Sequence, residues 1–219
     1  MSALRVLVTR PREQAQLLVE ALASEGFDVV VEPLVAIESL SGEPIDVRGY
    51  DCVIVTSANG ARELARRMNE TPSTIAAIGP GTVAALDEAG LRADVVADVH
   101  TQEGLVDTFS ERPQRALFVG AEGARSYLAE ALDADFLAVY RTIELAVDAL
   151  PQAELAVLMS PSAARAYAHA GGRAPVVSIG PQTTSAAQAA GIDVVAEARS
   201  QDVRGLVDSA AAWRASLRS

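Results

Sequence analysis

The run "IGPGT" at Ile78–Thr82 comes back as "IGPQT" at Ile179–Thr183, and each is followed in the same order by "AG" and "GLVD". A chain that writes this order twice, 101 residues apart, must build one strand–turn–helix piece two times over. The repeat is wider than the motif. "DCVIVTSANGARELARRM" parallels "ELAVLMSPSAARAYAHAGG", with Ser57 opposite Ser160, and "RALFVGAEGARSYLAEALDADFLAVYRTIEL" restarts the pattern of the N-terminus. Matched residues stay 99 to 103 apart through the later part of each copy, so helices and turns keep nearly equal lengths. A copy of about 105 residues is too long for a solenoid repeat and is about one domain in size.

Inside each copy, short apolar runs rich in β-branched residues alternate with amphipathic helical segments. "LRVLVT" (Leu4–Thr9) reads as a strand, Pro11 opens the helix after it and Gly26 stops that helix. Strands buried on both faces and separated by helices imply parallel sheets, so the expected fold class is α/β with two parallel-sheet domains.

Half of the 219 residues are hydrophobic, mostly Ala, Val and Leu, with only 4% aromatics. No apolar window is long enough to span a bilayer, and the N-terminus enters a strand directly rather than a signal peptide. A single cysteine, Cys52, fits a reducing compartment, and a cytoplasmic location is expected. The net charge of −11 argues against nucleic-acid or anionic-membrane partners. All 18 basic residues are arginines; without a lysine there is no phosphate-binding P-loop. Cys52, His100 and His169 stand far apart in the sequence, so no metal site is expected.

In parallel α/β sheets, ligands bind at the carboxyl ends of strands, where helix N-termini present free N–H groups. Here those turns read "VTRPRE", "VTSANGA", "IGPGT", "VGAEGAR", "LMSPSAA" and "IGPQTT". Each alone is ordinary capping chemistry; six in two matched sets point to binding. One competing reading is dinucleotide binding by "GPGTVA" (Gly79–Ala84), with Asp98 further on. Its duplicate "GPQTTS" lacks the second glycine, and neither copy sits in the first strand–turn–helix of its unit. Ser57 and Ser160 lie in no nucleophile elbow, and Cys52 falls within a buried strand, where a thiol is inert. Tyr140, in "AVYRTIE", stands out as a phenol at the end of an extended segment, a proton donor at neutral pH.

Taken in order, "VLVTRPREQAQLLVEALASEGFDVVVEPLVAIE", "DCVIVTSANGA", "IAAIGPGTVAALDEAG", "AVYRTIE", "MSPSAARAY" and "SIGPQTTSAAQAAG" resemble the uroporphyrinogen-III synthase family over nearly the whole chain. The resemblance implies two α/β domains joined by two antiparallel strands. Residues 1–33 with 146–219 would form one domain, 41–135 the other, and 34–40 and 136–145 the linking strands. It implies a monomeric, cofactor-free, metal-free lyase of tetrapyrrole biosynthesis, whose one macromolecular contact is a transient one with the preceding pathway enzyme. Its substrate would be hydroxymethylbilane, a linear tetrapyrrole polycarboxylate, cyclised with loss of water and inversion of ring D through a spiro intermediate. On this resemblance Tyr140 is the catalytic residue, acting on the departing hydroxyl. Thr82 and Thr183 in the two Gly-Pro turns, and Ser57 and Ser160 in the turns before them, position the substrate. Thr9 and Arg10 at the first turn join them, as do Ala58, Asn59, Gly79, Gly81, Gly120, Ser162, Gly180 and Gln182. Many members carry arginine and glycine where this chain has Gly120 and Ala121, and the segment "LDADFLAVY" is several residues shorter than usual. A non-catalytic relative that binds a tetrapyrrole is the further alternative.

Overall fold

The structure is a computed structural model and describes residues 3–217. The chain opens with β1 (Arg5–Val8), α1 (Arg12–Ser24), β2 (Asp28–Val31) and β3 (Val35–Ser39). There follow β4 (Cys52–Val55), α2 (Ala58–Arg67), β5 (Ile75–Ala77), α3 (Pro80–Glu88), β6 (Val95–Val96) and α4 (Gln102–Thr108). Next come β7 (Ala116–Ala121), α5 (Tyr127–Leu132) and the long β8 (Asp135–Glu144). The last part holds β9 (Leu155–Leu158), α6 (Pro161–His169), β10 (Val176–Ser178), α7 (Pro181–Ala189), β11 (Val194–Glu197) and α8 (Val203–Ser216).

These elements fall into two compact units, 1–36 with 143–219 and 37–142. The first carries a sheet in the order β11-β10-β9-β1-β2, all parallel. The second sheet runs β3-β8-β7-β4-β5-β6, parallel from β8 to β6. The order β2-β1-β9-β10-β11 is the same as β8-β7-β4-β5-β6, so the duplication in the sequence is a duplication of topology. Each unit takes the opening strand–helix–strand from one copy and the remainder from the other. β3 and β8 pair antiparallel: Leu40 N–H donates to Val139 C=O and Leu145 N–H to Leu34 C=O, early residues meeting late ones. The expected fold class is thus the observed one.

In both units the sheet is buried on two faces. In the second, alternate residues of β4, β5 and β7 pack with Ala61 and Leu64 of α2 and Ala85 and Leu86 of α3. The residues between them pack with Leu105 of α4 and with Leu128 and Leu132 of α5. The first unit repeats this with α6 and α7 on one face and α1 and α8 on the other. Alanines on the buried helix faces let helix backbones approach the sheets closely, which is how a chain with so few aromatics fills two cores. Pro11 sits at the N-cap of α1, Leu18 and Leu22 bury its core stripe, and Gly26 ends it at φ +80.

The repeated "GLVD" has a steric cause. Thr101 Oγ1 accepts from Gly104 N–H at 3.0 Å, and Asp202 Oδ1 accepts from Gly205 N–H at 2.7 Å, capping α4 and α8. The loop before each helix curls so tightly that a Cβ on Gly104 would lie 2.1 Å from Val99 C=O, and one on Gly205 2.2 Å from Ser200 C=O. The same loops lay His100 against Gly79 and Gln201 against Gly180, where a Cβ would come within 3.0 and 3.1 Å of the covering side chain. Gly79 with Gly104, and Gly180 with Gly205, therefore belong to one closure, built once in each unit.

Candidate functional site

Open parallel sheets bind ligands where the strand order reverses, because the helices leaving the two central strands go to opposite faces and open a crevice. In the second unit that point lies between β4 and β7; in the first it lies between β9 and β1. The ends of these strands and the turns and helix starts after them hold Ser57, Ala58, Asn59, Gly120, Thr9, Arg10, Ser160 and Ser162. The Gly-Pro turns follow β5 and β10, one strand further out. "GPGTVA" therefore sits off the switch point, and Gly79 is buried beneath His100.

Around the β4–β7 point the structure brings two hydroxyls together. Ser57 is the N-cap of α2, its Oγ accepting from Gly60 N–H at 3.0 Å, and the same Oγ lies 2.9 Å from Tyr140 OH. Tyr140 reaches it through a register shift on β8. Gly120 pairs with Ala138 but Ala121 pairs with Tyr140, leaving Val139 as an extra residue. Val139 and Tyr140, neighbours in sequence, consequently pack into one core instead of facing opposite sides. Tyr140 is 6% exposed. Burial pushes its phenol above the ordinary value of 10.0, and the Ser57 hydrogen bond only partly opposes this, so the phenol keeps its proton at neutral pH. Gly120 is buried on the other face, where a Cβ would meet the rings of Phe118 and Phe136 at 3.2 and 3.3 Å. Those rings stand 5.1 Å apart, so a glycine here answers to packing.

In the first unit Thr9, 1% exposed, directs its hydroxyl to Val157 C=O at 3.4 Å. Arg10 reaches Met159 Sδ at 3.3 Å and Gln14 Oε1 at 3.1 Å. Ser160 caps α6, accepting from Ala163 N–H at 3.1 Å, and its Oγ lies 2.9 Å from that of Ser162. Thr82 and Thr183 are 4% and 2% exposed, third residues of α3 and α7 that face into their own units. The exposed edges of those two turns are Pro80 and Gly81 in one and Pro181 and Gln182 in the other.

Gly60 is the residue that sequence reasoning missed. Its only signal was a glycine three positions after a capping serine. Cys52 is 2% exposed and its thiol is pushed up to about 12, by burial first and then by Asp51 and Asp94. Among the described residues, no cluster of three metal-ligating side chains occurs, and no helix is long and apolar enough to cross a membrane.

Residues 16–208 match the family model described as Uroporphyrinogen-III synthase HemD. Two curated proteins named "Putative uroporphyrinogen-III synthase" are similar in sequence. The one from Methanocaldococcus jannaschii is 27% identical over 151 residues, which cover 64% of this chain and 63% of that protein. The one from Methanothermobacter thermautotrophicus is 31% identical over 114 residues, covering 47% and 45%. The chain thus spans less than two thirds of the length of the curated relatives it matches. A solved structure of a mutant uroporphyrinogen III synthase from Thermus thermophilus superposes with a TM-score of 0.59, covering 99% of both chains at 16% identity. That likeness is one of fold.

Proposed function

Because the chain belongs to the uroporphyrinogen-III synthase family, we propose that it cyclises hydroxymethylbilane to uroporphyrinogen III, with loss of water and inversion of ring D. The observation that carries this beyond family membership is the contact of half-buried Ser57, at a topological switch point, with the buried Tyr140 phenol. A protonated phenol beside a capped helix N-terminus suits a reaction that begins by expelling hydroxide.

The substrate is held through the turns at the switch point beside Tyr140. The amides that open α2 and α3 donate to its carboxylates, so an acidic protein binds a polyanion without a basic face. Tyr140 gives its proton to the departing hydroxyl; the C–O bond breaks, its electron pair stays with oxygen, and water leaves. The adjoining pyrrole nitrogen supplies electron density to the carbon left behind. The substituted carbon of ring D attacks it to form the spiro intermediate, the bond that linked ring D to its neighbour breaks and re-forms at the free carbon of ring D, and the proton shed there in restoring the ring returns to the phenolate. The reading requires no metal or cofactor. Holding the bound chain in the conformation that inverts ring D is the larger task, because proximity and orientation decide which carbon attacks.

The test supplies hydroxymethylbilane to the purified chain and separates the macrocycles by isomer. The type III isomer is expected, and type I alone would defeat the proposal. A linear tetrapyrrole that binds without product would identify a non-catalytic relative. Tyr140→Phe should lower kcat by roughly 100-fold, within the range for loss of a general acid, and change KM little.

A further inference from the structure

Ser57 uses one oxygen for two contacts. Its Oγ accepts from Gly60 N–H, which leaves a lone pair and the hydroxyl hydrogen for Tyr140 OH at 2.9 Å. In the resting protein the phenol can donate to Ser57; once the phenolic proton has gone, only Ser57 can donate, and the bond must reverse. The surroundings keep the two oxygens in place through such a reversal. The register shift turns the Tyr140 ring toward α2, and Glu122 N–H donates to Tyr140 C=O at 2.8 Å, pinning its backbone. A Cβ on Gly60 would stand 3.2 Å from Ser57 Oγ, 3.3 Å from Val119 C=O and 4.0 Å from the Tyr140 ring. Glycine leaves the space that the hydroxyl pair occupies.

The second copy provides the control. Ser160 caps α6 in the same way, but its other contact is Ser162, and Ala163 stands where Ser57's helix has Gly60. Capping alone therefore needs neither the phenol nor the glycine.

We propose that Ser57 is a positioning residue for Tyr140: its hydroxyl, held by the Gly60 amide of α2, donates to the phenolic oxygen as that oxygen passes its proton to the leaving hydroxyl. Ser57 keeps its own proton throughout; the proton released on ring closure comes back to Tyr140. The proposal rests on the reading of Tyr140 as proton donor.

Three variants of the full chain separate this role from capping and from substrate contact. Ser57→Ala loses both functions. Ser57→Asp keeps a capping oxygen but has no proton to give at neutral pH, and Ser57→Thr keeps both. With hydroxymethylbilane, Ser57→Ala and Ser57→Asp should each lower kcat by roughly 10- to 100-fold, the worth of a hydrogen bond to a developing charge, with KM little changed. Ser57→Thr should restore most of the rate, and Ser57→Ala should add little to Tyr140→Phe. A raised KM with intact kcat would show that Ser57 touches the substrate instead, and fully multiplicative losses in the double variant would show that it acts independently; either overturns the proposal. The ring-carbon NMR signal of Tyr140 reads the pair without turnover. It should move in Ser57→Ala and stay in Ser57→Thr; no movement would remove the hydrogen bond itself. If that signal moves but Tyr140→Phe turns over normally, Tyr140 is not the donor, and both readings fall while the contact stands.

Discussion

Adding one methyl group to Gly205 should destabilise the protein, although alanine is ordinarily the better helix former. Gly205 is the third residue of α8, where replacement by alanine would by propensity alone stabilise by up to about 1 kcal/mol. The new Cβ would lie 2.2 Å from Ser200 C=O, more than an ångström inside ordinary van der Waals contact, and 2.6 Å from its Oγ. Relief requires moving the Ser200 backbone, which pulls the Asp202 carboxylate away from Gly205 N–H. Losing that cap costs about 1 kcal/mol, and the residual overpacking costs about 1–3 kcal/mol. After the gain in propensity the net loss is about 1–3 kcal/mol, or a Tm lowered by roughly 5–20 °C for a unit of this size. Trp213, the chain's one tryptophan, lies in α8 against the same core and reports the transition by fluorescence in urea. Gly104→Ala makes the equivalent clash in the other unit, 2.1 Å from Val99 C=O, and its transition is followed by far-UV circular dichroism. Gly81→Ala is the control: nothing lies within 4 Å of its Cβ, and stability should hold or rise. An unshifted or raised midpoint for Gly205→Ala would refute the steric reading of the repeated glycine.

Three further outcomes follow from the charges and burial of single groups. With the Tyr140 phenol raised above 10.0, its neutral, proton-donating form persists through the physiological range, so the pH profile of kcat/KM should show no alkaline limb from this group below pH 10; a limb near pH 8 that vanishes in Tyr140→Phe would contradict the burial argument. Glu63, 15% exposed, accepts from Arg66 and Ser39 at 2.8 Å and lies 3.6 Å from the buried Arg67 guanidinium. Burial alone would raise its carboxyl, but those hydrogen bonds and charges outweigh burial and hold it below the ordinary 4.5. A folded value below the unfolded one means that the stabilisation is complete above about pH 4.5 and is lost as pH falls through the folded value. Glu63→Gln should therefore cost about 1–3 kcal/mol at pH 7 in urea titrations, and the gap from the parent should close toward pH 3. Finally, Cys52, buried and with its thiol pushed up to about 12, should resist iodoacetamide in the native state and react only on unfolding, as mass spectrometry would show.

The sheets were legible in the sequence because both faces are covered, so their strands read as unbroken apolar runs, and because the starts of α2, α3 and α4 repeat at α6, α7 and α8. Pro11 and Gly26 mark the ends of α1 by rules that act within a few residues. The site was less legible, since its key contact joins residues 83 apart. The shift that brings Val139 and Tyr140 onto one face has no local signature: both are good strand formers, and alternation alone puts them on opposite sides. Gly120 reads in sequence as a departure from the family pattern, and only the Phe118–Phe136 ring pair explains it. Hydroxyl residues in turns look alike on paper. The helical third position turns Thr82 and Thr183 inward, whereas the N-cap position leaves the Ser57 and Ser160 oxygens at helix N-termini.

The interleaving of the two copies also dictates an order of events during synthesis. Residues 37–142 are continuous, so that unit has every strand it needs as soon as β8 has left the ribosome. β1 is made long before β9 yet lies between β2 and β9 in its sheet, and β9 is not available until Leu158 has been added. Through that interval the apolar Val6–Val8 edge has unpaired backbone groups on one side, the condition under which nascent strands find wrong neighbours. β1 is thus made well before its sheet can close around it, and its second edge is paired only when β9 arrives.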